Sequence, residues 1–293
     1  MRIESVPSAP LFPEGASLLV RWITRYWVAA SLAVMLIALA AVVLSVPLLP
    51  LVNPDKINTI QRLKPPFALS EHPLGTDGFG RDMLSRLIWG GRISLLMGFC
   101  SAFLSMIFGV FLGLVAGYGT QRIDAIVMRL VDVVMAFPFI LLAIALVGAL
   151  GPGLWNAMLA IAVVGIPQYA RLARGAILSV REQEYVEAAK ALGASHRLIL
   201  SRHILPNITA PIIVMVSLDV GAKIIATASL SFLGLGTQPP TADWGSMLAD
   251  GRNYLAVAPH VATLPGLAIF GVALAFNLVG DGLRDALDPR LRA

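Results

Sequence analysis

Charge and reactive side chains are scarce in this sequence. Only 13% of its 293 residues are Asp, Glu, Lys or Arg, against roughly a quarter in soluble domains, while 57% are apolar. That balance excludes an ordinary soluble domain and places the chain in the membrane class. Cys100 is the single cysteine and lies in an apolar run, which excludes an internal disulfide and a cysteine metal site and leaves a small buried hydrophobe. The four histidines, at 72, 196, 203 and 260, are dispersed, and neither a His-Glu-x-x-His nor a Gly-x-Ser-x-Gly pattern occurs. His72, beside Pro73 and Gly75, reads as part of a structured turn rather than as a metal ligand. Lys56, Lys64, Lys190 and Lys223 precede Ile, Pro, Ala and Ile, so none completes the Gly-Lys-Ser/Thr end of a phosphate-binding loop. A non-catalytic chain without a cofactor of its own is expected. The net charge of +5 comes from basic residues set between apolar runs rather than in one patch, which argues against nucleic acid and for topology signals read at the lipid surface.

Long apolar runs are what the sequence does have. The first covers 27–49; with Arg21 and Arg25 before it, it resembles a signal peptide in outline, but it is long enough to cross about 30 Å of hydrocarbon and is expected to be a retained helix. Charge-free runs follow from Ile93 to Gln121 and from Val133 to Ala170. The second of these is too long for one span, and Gly151-Pro152-Gly153 divides it, because Gly permits turn dihedrals and Pro removes a helical donor. Spans are expected at about 126–149 and 154–172, with Pro138 kinking the first. A fifth is expected from Asn207 to about Leu233 and a sixth at about 261–280. Helices are favoured because an open strand edge stays unsatisfied in lipid. The expected fold is all-α, a polytopic membrane protein of six transmembrane helices.

Orientation follows from the basic residues. With the N-terminus inside, fourteen Lys and Arg fall on the cytoplasmic side and seven outside. The expected organisation is a cytoplasmic segment 1–26, a first helix with its external loop over 27–92, a core over 93–280, and a cytoplasmic tail over 281–293. Within the external loop, Asp82 to Arg92 is expected to form a short interfacial segment with Arg81, Arg86 and Arg92 solvated.

Between the fourth and fifth helices lies a polar stretch longer than a connection needs. Ser179 and Glu182 have capping-box spacing, Ala188, Ala189, Ala191 and Leu192 favour helix, and Gly193 can supply a left-handed stop. Ser195 can cap a second short helix that should end near Leu205, because Pro206 follows. The pattern fits either a docking element or a charged loop at the headgroups.

Glu187-Ala188-Ala189, Gly193 and Leu205-Pro206 resemble the EAA loop of permease subunits in binding-protein-dependent ABC importers, with His203 departing from the usual Ile. His72-Pro-Leu-Gly-Thr-Asp77, Gly80-Arg81-Asp82, Ser229 to Gly236 and Gln238-Pro-Pro-Thr241 resemble, more narrowly, the C-subunit type of dipeptide, oligopeptide and nickel permeases. The resemblance implies a bacterial inner-membrane subunit with both termini cytoplasmic, forming half of a pathway for dipeptides or short oligopeptides. It implies as partners a second, homologous permease subunit, two cytoplasmic ATPase domains that hold ATP and Mg, and an external solute-binding protein. It assigns Glu187, Ala188, Ala189, Gly193, Leu205 and Pro206 to coupling with the ATPase. Nickel complexes, another small polar solute and ion-coupled secondary transport are the alternatives.

Two features lie inside the spans. Asp219 and Lys223 share a helical face, as a structural ion pair or a polar part of the pathway; mutual neutralisation favours the former. Gly109, Gly113 and Gly117 form a small-residue stripe that lets another helix approach, most simply one of the same chain.

Overall fold

The computed structural model describes residues 51–287, together with positions 31, 34, 36, 37, 41, 45 and 46. The segment 1–26, most of the expected span 27–49 and the tail after Leu287 lie outside the described residues. Among the described residues there is no strand, only two isolated bridges, Leu69 with His72 and Thr76 with Asp82.

Helix α1 runs from Met83 to Tyr118 and begins well before Ile93. Asp82 starts it by accepting from the Ser85 amide at 2.7 Å, which satisfies one of the first-turn donors. The same carboxylate meets His72 Nδ1 at 2.9 Å, so the His72 turn is clamped onto the helix start. The expected interfacial segment is therefore not what forms, and of its three arginines only Arg92 is exposed. Arg81 and Arg86 are buried, and both face Asp77, with Arg81 Nε 2.6 Å and Arg86 Nε 3.5 Å from Asp77 Oδ2. Local ion pairing offsets their desolvation, and α1 extends through the position where the sequence pattern suggested an interface.

Helix α2, Gln121–Met135, is capped by Thr120, and α3, Phe139–Leu150, follows at an angle of 90°. The expected single kinked span at 126–149 is thus a broken pair. Pro138 has no amide donor and disfavours helical dihedrals at the preceding residue, and Ala136, Phe137 and Pro138 turn the chain between the two helices. Gly151 and Gly153, both at positive φ, make the next turn, into α4, Leu154–Arg181. Two short helices, α5 (Glu184–Ala191) and α6 (His196–Ile199), lead through a π-helical turn at Leu200–Ile204 into α7, Leu205–Phe232. After the Pro-rich connection come α8, Trp244–Gly251, and α9, His260–Leu287.

By length and composition, the helical stretches 83–118, 196–232 and 260–287 can each cross a membrane, and α2 with α3 would add a fourth crossing as one broken span. Helix α4 is long enough at 28 residues, but Asn156, Gln168, Arg171 and Arg174 dilute its apolar character. It instead lies along α1 in the most extensive helix pairing of the fold.

That pairing explains the glycine stripe. A Cβ on Gly113 would stand 2.6 Å from Ala173 Cβ and 2.8 Å from the Ala170 carbonyl oxygen. Gly109 meets the Ile166 carbonyl oxygen at 2.6 Å and Gly117 meets Ile177 Cγ2 at 3.0 Å by the same construction. The stripe is a backbone-to-backbone seam within one chain. Gly113→Leu should force α1 and α4 apart and cost roughly 1–3 kcal/mol, the usual range for overpacking. The expected sign is a lower unfolding midpoint in detergent, whereas Gly148→Leu, where an added Cβ meets nothing within 4 Å, should leave the midpoint in place.

Candidate functional site

The polar stretch between α4 and α7 folds as two short helices around a small apolar core. Val186 of α5 and Ile199 of α6 are buried with Ile177, Ile204, Ile208 and Ile212, so the loop is fastened to α4 and α7. The first turn of this unit differs from expectation. Ser179 and Glu182 do not form a capping box, because α4 continues through Arg181 and Glu182 caps its C-terminus. Helix α5 starts one turn later, at Glu184, with no side-chain cap on Gln183.

Its end is built as the sequence suggests. Gly193 has φ +81°, its amide donates to the Lys190 carbonyl at 3.0 Å, and the Ala194 amide donates to the Ala189 carbonyl at 3.0 Å. These two bonds make a Schellman stop, which needs a left-handed residue at this position. Ser195 then caps α6, accepting from the Leu198 amide at 3.4 Å. Pro206 does not end the second helix. The Leu205 amide bonds to the Leu200 carbonyl five residues back, and Pro206 falls in the first turn of α7, where its missing donor costs little. Leu205 and Pro206 are exposed within one continuous helical path from His196 to Phe232.

The outer surface of the unit is uncovered. Glu187 and Ala188 are exposed, Ala189 is half-buried, and Leu192 beside Gly193 is 88% exposed. Tyr185 and Leu198 add further exposed apolar surface. Leu192 was legible only as a helix former; its position at the tip is set by the Gly193 turn.

Polar contacts join this unit's surroundings to the broken α2. Arg174 of α4 holds Asp124 of α2 through two bonds of 2.5 and 2.6 Å, and Arg171 holds Asp132 at 2.6 Å. Arg181 donates to the Gly117 carbonyl at 3.1 Å, and Tyr118 O–H lies 3.0 Å from His196 Nδ1. A displacement of the helical loop would therefore be felt by α1, α2 and α4 together.

Deeper in the bundle, Lys223 Nζ lies 3.8 Å from Asp219 Oδ2, and Tyr169 donates to the same Asp219 oxygen at 3.0 Å. Lys223 also donates to the Ile161 carbonyl at 3.4 Å. The pair borders a cavity of about 380 Å³ between α3, α4 and α7.

The family described as "Binding-protein-dependent transport system inner membrane component" matches residues 109–293. The chain belongs to that family. This permease is 48% identical over 247 residues to the dipeptide transport system permease protein DppC of Alkalihalophilus pseudofirmus, covering 84% of this chain and 81% of that one. It is 51% identical over 224 residues to the glutathione transport system permease protein GsiD of Pectobacterium atrosepticum, covering 76% and 74%. Among solved structures, it shares its fold with a chain of the MetNI methionine ABC transporter in an inward-facing conformation. The TM-score is 0.58 at 19% identity, over 70% of this permease and 98% of that chain. The helical membrane fold and the ABC importer permease family are thus shared with proteins of transport function.

Proposed function

We propose that this permease forms half of the translocation pathway of an ATP-driven importer for dipeptides or short oligopeptides, and that a separate ATPase subunit docks on α5 and α6. The observation that carries this reading is the rigid helical loop, which has its own core, a glycine-terminated tip and an uncovered apolar surface at Leu192. Such a surface is costly unless a partner covers it. The peptide assignment is supported by the relatives named for dipeptide and glutathione transport. ATP and Mg would be bound by the partner chains, because none of this chain's lysines sits in a phosphate-binding loop. A second permease chain would complete the pathway, and an external binding protein would deliver the solute.

In this reading the loop at α5 and α6 is cytoplasmic, both termini are cytoplasmic in a bacterial inner membrane, and the Asp77 to Arg86 knot is external. Cysteines placed singly at Glu187 and Glu71 of the Cys100→Ala protein should label from opposite faces of sealed membranes. Labelling of both from one face contradicts the topology. The substrate class is tested with the purified cognate binding protein: dialanine is expected to compete for the ligand site. A binding protein that ignores short peptides and holds a nickel complex removes the peptide assignment and leaves the importer intact.

A further inference from the structure

Lys223 is buried to 2% exposure, yet its ammonium is loosely held. Its polar neighbours are the Ile161 carbonyl at 3.4 Å and Asp219 Oδ2 at 3.8 Å, both longer than the ~2.7–2.9 Å of a charge-assisted bond. The ring of Phe139 lies 4.8 Å away. Asp219, in contrast, is committed to Tyr169 at 3.0 Å. An ammonium has three donors, so donor capacity is left over at this site. Room for the ammonium is built into α4: a Cβ on Gly165 would collide with Lys223 Nζ and stand 2.5 Å from Ser105 Oγ.

Lys223 also lines a cavity. This cavity of about 380 Å³ is lined in part by Phe139, Gln168, Asp219, Ala222, Lys223 and Ser229. Gln168 and Ala222 are exposed, so the cavity opens on one side of the chain. Mostly apolar walls with a few convergent polar groups are the usual make-up of a small-molecule site. A buried cation that served packing alone would be expected to close onto its partner, because an incompletely paired charge in a membrane protein is costly.

We propose that this cavity is a transit subsite in which Lys223 receives the free carboxylate of a short peptide or a similar small carboxylate solute. Asp219, fixed by Tyr169, positions the ammonium without saturating it, and Gln168 offers an amide beside it. Loose pairing suits passage, since a group held too tightly would not leave. The inference rests on the permease reading above.

The test uses the complete importer in proteoliposomes, with dialanine as the probe and co-purification of all subunits as the measure of assembly. The double variant Asp219→Asn with Lys223→Met removes both charges together and leaves neither one unpaired. Its dialanine uptake is expected to fall roughly tenfold, as loss of a charged hydrogen bond to the solute implies. Wild-type uptake by the double variant overturns the subsite, because a merely structural pair tolerates joint neutralisation. Ala222→Leu narrows the same cavity without touching either charge; an assembled complex with this change should also lose uptake, and unchanged uptake overturns the subsite independently. Absence of ATP-driven uptake by the wild-type complex overturns the transport reading itself, and the subsite with it.

Discussion

Replacing Gly193 with Val is expected to cut ATP-driven uptake more than tenfold while leaving the membrane helices intact. The backbone at Gly193 sits at φ +81°, which costs an ordinary L-residue about 1–2 kcal/mol and a β-branched one more. That strain is small against the long α1 and α4 pairing but large against the few bonds that close an eight-residue helix. The tip should therefore relax locally, losing the Gly193 and Ala194 bonds to Lys190 and Ala189 and turning Leu192 away from its present direction. In the proposed complex the ATPase would then lose its grip on α5. Gly193→Asn is the control, because Asn tolerates the left-handed region; it should retain most uptake. Uptake by the Val variant equal to that of the Asn variant, in complexes of equal composition, would remove Gly193 from coupling.

The second large effect is expected at Asp77. Its Oδ1 accepts from the amides of Phe79 and Arg81 at 2.8 and 2.9 Å, and its Oδ2 faces both buried guanidiniums. Asp77→Ala leaves Arg81 with the carboxylate of Asp250, at 3.6 Å, and Arg86 with that of Asp55, at 3.4 Å, both of them exposed. Removing one partner of a buried pair typically costs about 3–5 kcal/mol, and the unfolding midpoint in detergent should drop accordingly. Asp132→Ala removes the partner of Arg171, but both side chains there are about half exposed, so a change within about 1 kcal/mol is expected. Equal drops for the two variants would show that the knot from Asp77 to Arg86 is not held by this buried carboxylate.

Local signals in the sequence were read correctly where the deciding physics was local. Gly193 and Ser195 terminate and start their helices because a left-handed φ and a side-chain cap each act within one turn. The readings that differ depended on what lies outside that range. Ser179 and Glu182 have the spacing of a helix start, but α4 is still packed at Ile177 and carries its helix through them. Pro206 reads as a stop, yet one π-helical turn before it absorbs the change and keeps the path from His196 continuous. Arg81 and Arg86 read as solvated because the sequence does not show that the loop folds Asp77 back onto them. Pro138 announced a bend, while its size of 90° goes with α3 packing on Ala157, Ala160 and Ile161 of α4 and with Arg171 and Arg174, further along the same helix, holding α2. The Asp219 and Lys223 pairing was legible from spacing; the cavity beside it requires α3 and α4, which no spacing within α7 reveals.

The central claim is that this chain is a passive pathway driven by ATP hydrolysed on a neighbouring subunit through α5 and α6. The most direct measurement is dialanine uptake into proteoliposomes holding the full complex, with ATP inside the ATPase compartment and no ion gradient, for the wild type and for Gly193→Val. The account predicts accumulation that requires ATP and the loaded binding protein, and its loss in the variant with the subunits still assembled. Accumulation that ignores ATP and follows an imposed proton or sodium gradient would contradict it.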